Sequence, residues 1–147
     1  MQPQEITSRR ASAADQEFCF VVKSQAIGPY VDAVWGWEDS YQRADHAKKF
    51  LAHRPNIALW RSEPIGIWDV LPETTHFTLN DFYLLPQYQR QGIGSIILNR
   101  VISEVSATGL PLRLRFIKIN PVRSLYLRNG FAIVGETETH CLCERVP

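Results

Sequence analysis

Residues 82–105, FYLLPQYQRQGIGSIILNRVISEV, decide the fold. Phe82, Tyr83, Leu84 and Leu85 form a short apolar run of the kind a buried strand makes. Pro86 ends it, because proline has no N–H to give to a strand ladder. Gln89-Arg90-Gln91-Gly92-Ile93-Gly94 then sets glycines two positions apart with a cation inside the turn. From Ile93 the apolar residues recur at Ile97, Val101 and Val105, with Leu98 and Ile102 beside them, which is helical spacing. The stretch reads strand, glycine turn, helix.

That order predicts an anion site. The first turn of a helix carries backbone N–H groups without intrahelical partners, at the positive end of the macrodipole. Gly92 and Gly94 have no β-carbon to keep a ligand off the backbone, and Arg90 adds a positive charge. Phosphate suits such a site best. Two nucleotide motifs are excluded by residues. Ile97 stands where a dinucleotide fingerprint has its third glycine, and Gly94 is followed by Ser95-Ile96 rather than by Lys-Ser or Lys-Thr. What remains is either a pyrophosphate site of the form Gln-x-x-Gly-x-Gly or a βα turn whose glycines serve packing alone.

The remaining composition narrows the class. A chain of 147 residues is the length of one domain, 1–147, and buries a core without staples. A net charge of +1 with mixed signs offers neither a nucleic-acid surface nor a polybasic membrane patch. No apolar run approaches the roughly 20 residues of a membrane span, and MQPQEITSRR has no apolar segment of signal-peptide type. Three cysteines suggest no disulfide framework, so a reducing, cytoplasmic location is expected.

Outward from the central stretch, residues 5–9 read as an opening strand. Ser12-Ala13-Ala14-Asp15 has the form of a helix cap with an acid three residues on. The helix after it is expected to run to about Ala26 and to stop at Gly28-Pro29. Trp35 and Trp37 flank Gly36 in an expected loop, followed at once by Glu38 and Asp39. The tryptophans are either core plugs or the wall of a substrate pocket. Asp39 or Ser40 is expected to cap a second helix reaching His53. Residues 56–61 and 65–71 read as strands around a polar hairpin turn, and residues 75–85 as the strand entering the glycine turn. The helix from Gly92 should end near Gly109. Residues 112–117 alternate apolar and charged, a half-buried strand. Asn120-Pro121 is expected to open a short helix that Asn129-Gly130 closes, and residues 131–135 and 140–145 a final hairpin. The predicted order is β-α-α-β-β-β-α-β-α-β-β.

The segment at 89–94 resembles the acetyl-CoA signature of the GCN5-related N-acetyltransferase (GNAT) superfamily. Residues 120–131, NPVRSLYLRNGF, resemble the same superfamily's "Asn … Leu-Tyr … Gly-Phe" segment, with one residue fewer between asparagine and tyrosine than many members have. The resemblance implies the GNAT acyl-CoA acyltransferase fold, an α/β chain with a central mixed, mostly antiparallel sheet flanked by helices. It implies acetyl-CoA as co-substrate, without metal. It also implies that the strand ending at Leu84-Leu85 grips the pantetheine arm through its backbone and that a strand N–H, here Leu84, polarises the thioester carbonyl. Gln89, Arg90, Gln91, Gly92, Ile93, Gly94 and Ser95 would form the pyrophosphate loop, and Asn120 would orient the pantetheine arm or a water, or else cap its helix. Tyr126 would protonate the departing thiolate, or else only pack.

The acceptor side is less defined. A lysine-type ammonium, with a reference pKa near 10.4, needs a base, whereas an α-amine near 7.7–8.0 barely does. Asp81 is either that base, or a substrate anchor, or a carboxylate satisfied by backbone. His140 is either a second candidate base or a partly buried strand histidine. Trp35, Trp37 and Glu38 would hold a cationic acceptor, or Glu38 is part of a solvated helix start. Cys141 and Cys143 share a strand face and read as small hydrophobes rather than metal ligands. The expected acceptor is a primary amine of a small molecule or peptide, with no nucleic acid and no membrane as partner, and with an edge strand suited to a homodimer. The competing classes are a non-catalytic acyl-CoA-binding sensor and a protein-interaction domain.

Overall fold

The structure is a computed structural model that describes residues 3–147. Its elements follow the predicted order: β1 (Ile6–Arg10), α1 (Gln16–Trp35), α2 (Asp39–Ala52), β2 (Asn56–Trp60), β3 (Glu63–Pro72), β4 (Phe77–Leu84), α3 (Ile93–Ser106), β5 (Leu112–Ile117), α4 (Arg123–Arg128), β6 (Ala132–Glu136) and β7 (His140–Arg145). The strands form a seven-stranded sheet in the order β1-β2-β3-β4-β5-β7-β6. The pairing of β4 with β5 is parallel, and those of β1 with β2, β2 with β3, β5 with β7 and β6 with β7 are antiparallel. The chain is thus a mixed, mostly antiparallel α/β fold. It divides into two compact units. Unit one holds the residues up to Asp69 together with Asp81–Ile93, and unit two holds Val70–Asn80 with Gly94–Pro147.

In unit one the core comprises Ala11, Cys19, Val22, Phe50, Ile57 and Ile67, with Phe18, Leu59, Tyr83 and Leu85 packed on it. The start of α1 follows the sequence reading: Ser12 N donates to Asp15 Oδ2 at 2.7 Å, and Arg9 grips the same carboxylate at 2.8 and 3.1 Å. Its end does not. The helix runs through Gly28 and Pro29 to Trp35. An internal proline loses one helix bond and costs about 3 kcal/mol. Tertiary packing offsets this: Val31 is buried beyond the proline, and buried Gly28 lies under the Trp37 ring. The working stop is Gly36, at φ +80°, whose N–H donates to Asp32 O at 2.9 Å. The second cap also differs from expectation. Glu38, not Asp39 or Ser40, accepts from Tyr41 N at 2.7 Å. The β2–β3 hairpin turns through Arg61 and Ser62, both at positive φ, as a two-residue turn matched to strand twist demands.

In unit two, β5 alternates Leu112, Leu114 and Phe116 inward with Arg113 and Arg115 outward. Arg113 pairs with Glu144 on β7 at 2.7 Å. The α3 stripe of Ile97, Leu98, Val101, Ile102 and Val105 is buried throughout. α4 begins at Arg123 behind Val122, two residues later than the Asn120-Pro121 reading. Asn120 instead sits in a turn, its N–H on Ile117 O and its carbonyl taking Val122 N–H, both at 2.9 Å. Gly130, at φ +90°, closes α4, and a β-carbon there would strike Arg145 Nε, which donates to Asn129 O at 3.0 Å.

Candidate active site

The end of β4 and the loop after it carry the first group of predicted residues. Leu85 N–H donates to Ile65 O on β3 at 2.9 Å, and Leu85 O accepts Tyr88 N–H at 2.9 Å. Both main-chain groups of Leu85 are therefore engaged inside the protein. Strand alternation turns the N–H of Leu84 to the opposite edge of β4, where β3 makes no claim on it. Behind it stands Gly66, where a β-carbon would collide with Tyr83 O and the Leu84 side chain.

Beyond Pro86 the chain makes a short turn and enters the glycine loop. Gln89 Nε2 donates to Leu84 O at 2.9 Å and Gln91 Nε2 to Gln87 O at 2.7 Å, so both glutamines brace the loop from within. Arg90 lies at φ +61° and Gly92 at φ +83°. A non-glycine residue in the left-handed region stores about 1–3 kcal/mol of strain, a feature that gathers at ligand clamps. Successive N–H groups in such alternating conformations converge into an anion-binding concavity. Nothing lies within 4 Å of a β-carbon placed on Gly92, so the approach to this backbone is open. Ile93 anchors the start of α3 with no exposed surface.

Tyr126 is 7% exposed, stacked on Phe116 at 5.8 Å and edge-on to Phe131 at 5.6 Å. Burial raises its phenol well above the ordinary tyrosine range, with Cys143 adding to the shift. No buried side-chain polar atom among the described residues lacks a partner. Among the described residues the Tyr126 hydroxyl makes no hydrogen bond, so by that accounting it keeps a sliver of surface. It is a protonated phenol with an outlet.

His140 does not join it. Phe116 pairs with Cys141, so Tyr126 lies on the Cys141 face of the β5–β7 pair, while His140, one residue earlier, points to the other face. There Thr139 Oγ1 meets its Nδ1 at 2.8 Å, and burial and nearby Arg115 lower its pKa. Lys118 pairs with Glu136 at 3.4 Å. A cleft of about 470 Å³ in unit two, lined by Arg113, Arg115, Val134, Leu142 and Cys143 among others, contains none of the predicted catalytic, cofactor or acceptor residues.

The tryptophan segment is mostly structural. Trp37 lies 6.2 Å from Phe20 and gives its Nε1–H to Asp39 at 3.3 Å, while Asp39 also holds Arg43 at 2.9 Å. Glu38 is the helix cap. Trp35, at the end of α1, is 55% exposed. Among the described residues, no group of three metal-ligating side chains occurs, and Cys19, Cys141 and Cys143 are buried free thiols, with burial pushing Cys19 up to about 12.

Asp81 stands beside a group that the sequence reading missed. Asp69 on β3 is 2% exposed, its Oδ1 shares a hydrogen bond with His53 Nε2 at 2.8 Å, and Asp81 adds to the rise in its pKa. The signal lay in the sequence as an acid within the apolar run IGIWDVL, but its histidine is 16 residues away.

Comparison with known proteins places this geometry. A family model described as "Acetyltransferase (GNAT) domain" matches residues 50–133, more than half of the 147. Among solved structures, the PaiA N-acetyltransferase of Thermoplasma acidophilum, in complex with coenzyme A, superposes with a TM-score of 0.79 at 21% identity, covering 97% of this chain and 99% of that one. A GNAT family acetyltransferase of Elizabethkingia anophelis with acetyl-CoA bound gives 0.71 at 16% identity, covering 97% and 99%. The ribosomal-protein-S18-alanine N-acetyltransferase of Escherichia coli gives 0.70 at 16%, covering 96% and 93%. Among curated proteins no match was found. With the family model over β2 to β6 and the strained loop where the family's signature falls, the chain belongs to the GNAT acetyltransferase family.

Proposed function

We propose that this chain is one N-acetyltransferase domain, 1–147, that moves an acetyl group from acetyl-CoA to a primary amine of a small molecule or peptide by direct attack. The observation that carries this is the glycine loop, where Arg90 and Gly92 take left-handed conformations and the space over Gly92 is open. Such a backbone is strained without a ligand and complementary to a diphosphate with one. The coenzyme A and acetyl-CoA held by two structural neighbours support the same donor.

In this reading the amides from Arg90 to Ser95 take the pyrophosphate. The Leu84 N–H, free of β3, donates to the thioester oxygen as charge develops there, a strong class of catalytic effect. The amine nitrogen attacks the carbonyl carbon, its proton goes to Asp81 or to water, and the C–S bond breaks. The thiolate sulfur then takes the Tyr126 proton. The phenol is protonated through the neutral range, and because burial disfavours the phenolate, the oxygen regains a proton from water as the thiol leaves. Asn120, whose side chain makes no hydrogen bond within the described residues, is available to the pantetheine arm. Trp35 is the remaining aromatic candidate for the acceptor side. The reducing cytoplasm is the proposed workplace, in keeping with three unpaired cysteines.

Thermal denaturation with and without coenzyme A tests the first half. A native-state ligand at a hundredfold excess over its Kd adds about 2.7 kcal/mol, which a chain of this length shows as several degrees. A melting point unmoved by saturating coenzyme A would remove the donor. Thiol release from acetyl-CoA across a panel of primary amines tests the second half. Stabilisation without turnover on any amine would make the chain a binder instead.

A further inference from the structure

The buried acid Asp69 has no part in the chemistry above, yet it is built in at some cost. A carboxylate at 2% exposure loses its hydration, and burial raises its pKa. A hydrophobic residue would fill the site between Ile67 and Val70 without that penalty. Among the described residues its side-chain partner is His53, the residue that closes α2. The His53 side chain is 40% exposed, so the ring reaches from a buried carboxylate to the surface.

Register brings a third group to this pair. Leu85 N–H bonds to Ile65 O, and a β-carbon on Gly66 would meet Leu84. Stepping back along β4 and forward along β3 by equal counts sets Asp81 opposite Asp69. Directly opposed residues of an antiparallel pair have their β-carbons about 4.5–5.5 Å apart. The charge of Asp81 is felt at Asp69, in keeping with that register. The register thus sets two carboxylates on neighbouring strands, with an imidazole from the end of α2 on the buried one. Arg10 from β1, which also donates to Arg54 O at 2.6 Å, is felt at Asp69, and the charge of Asp81 is felt at Cys19 on α1 and His46 on α2, where that of Lys23 is felt too.

We propose that Asp69 and His53 carry away the proton that Asp81 receives from the acceptor, so that deprotonation is shared along a relay from β4 through β3 to the end of α2. The inference rests on the acetyltransferase reading above. The proton leaves the amine nitrogen for an Asp81 oxygen, crosses to Asp69, and enters the imidazole at Nε2 of the Nδ1–H tautomer, whose Nδ1 proton then leaves for water. Only N–H and O–H bonds change, and no electrons are transferred. Asp81 is the catalytic residue, while Asp69 and His53 are positioning residues that restore it. The arrangement assigns the acceptor class too: a strongly basic amine, since a weakly basic one reaches the site already neutral.

The test compares two acceptors, phenethylamine, an ammonium ion at neutral pH, and trifluoroethylamine, which is neutral there. His53→Gln keeps a hydrogen-bonding partner for Asp69 at a half-exposed site but ends the relay. With phenethylamine it should lower kcat by about 10²-fold, within the usual range for general acid–base catalysis. The KM for acetyl-CoA should stay unchanged, and the pH profile should change on its acid limb. With trifluoroethylamine the loss should shrink to about twofold. Equal losses on both amines, or an unchanged pH profile, would reduce His53 to a pin between α2 and β3. A second readout needs no turnover: the ¹³C titration midpoint of the Asp69 carboxyl should fall in Asp81→Asn. An unmoved midpoint overturns the relay even if the enzyme is active. Absence of coenzyme A binding in the wild type would instead sink the acetyltransferase reading.

Discussion

Tyr126 shows how much one atom can separate two accounts of a residue. Its ring is fixed by Phe116 and Phe131, and its hydroxyl has no partner among the described residues. Tyr126→Phe therefore leaves the packing intact and removes only the oxygen. If the ring alone matters, melting point and turnover both stay where they were. If the phenol protonates the leaving thiolate, kcat falls by about 10²-fold or more while the KM for acetyl-CoA holds, because the group acts only as the C–S bond breaks. Steady-state kinetics beside a melting curve on the same preparation decides it. The sequence carried this residue through its place in Leu-Tyr and Gly-Phe. It could not show that the phenol is walled by aromatics and open only at its tip. Asp69 is the opposite case: its role depends on a histidine brought near by α2, and no local pattern announces that.

Elements were legible where the cause is local. β5 and β7 fall on their predicted residues because period-two alternation is a property of the strand itself. The α3 stripe is buried as read, for the same reason at period 3.6. α1 was cut short in the sequence reading because Gly28-Pro29 is a local stop signal, and what overrides it is the Trp37 ring, eight or nine residues on and folded back. α4 starts late because Asn120 and Pro121 form a turn rather than a cap. The β3–β4 pair carries a test at this scale. Gly66 lies so close to Tyr83 O and Leu84 that a methyl group must push the strand that presents the Leu84 N–H. Gly66→Ala should cost about 1–3 kcal/mol as an overpacking change. It should also lower kcat beyond what the stability loss explains, because misplacement of an oxyanion donor is felt in the transition state. Urea denaturation with kinetics well below the midpoint separates the two effects, and full activity in a destabilised protein would detach Gly66 from the site.

Across the whole molecule, titrating groups are divided between two signs, and this shapes stability against pH. Asp15 is held well below the usual carboxylate range, chiefly by Arg9, with the Ser12 amide assisting, and Glu5, Asp39 and Asp45 are lowered by Arg61, Arg43 and Lys49. Burial lowers His46. For each of these the unfolded chain binds protons more readily, so their contribution is present above the unfolded pKa and is lost as pH falls. The loss should begin below about 6.5, where unfolded histidine starts to charge, and steepen below about 4.5 as carboxylates follow. Burial raises Cys19 to about 12 and Tyr126 further, so here the folded chain keeps protons that the unfolded chain gives up. Their contribution is present below about 8.5 and declines as pH rises past the unfolded thiol and phenol values. Urea midpoints measured from pH 3 to pH 11, in steps of about one unit, should therefore form a plateau near neutrality with a fall on each side. Arg9→Gln should flatten the acid limb and leave the alkaline limb alone, since Arg9 is the largest cause of the Asp15 shift. Cys19→Ala should do the reverse, on top of the constant cost of its lost packing. If both variants only lower the curve by a fixed amount at every pH, then these ion pairs and this burial do not govern proton binding in the fold, and the electrostatic account given for Asp15 and Cys19 is wrong.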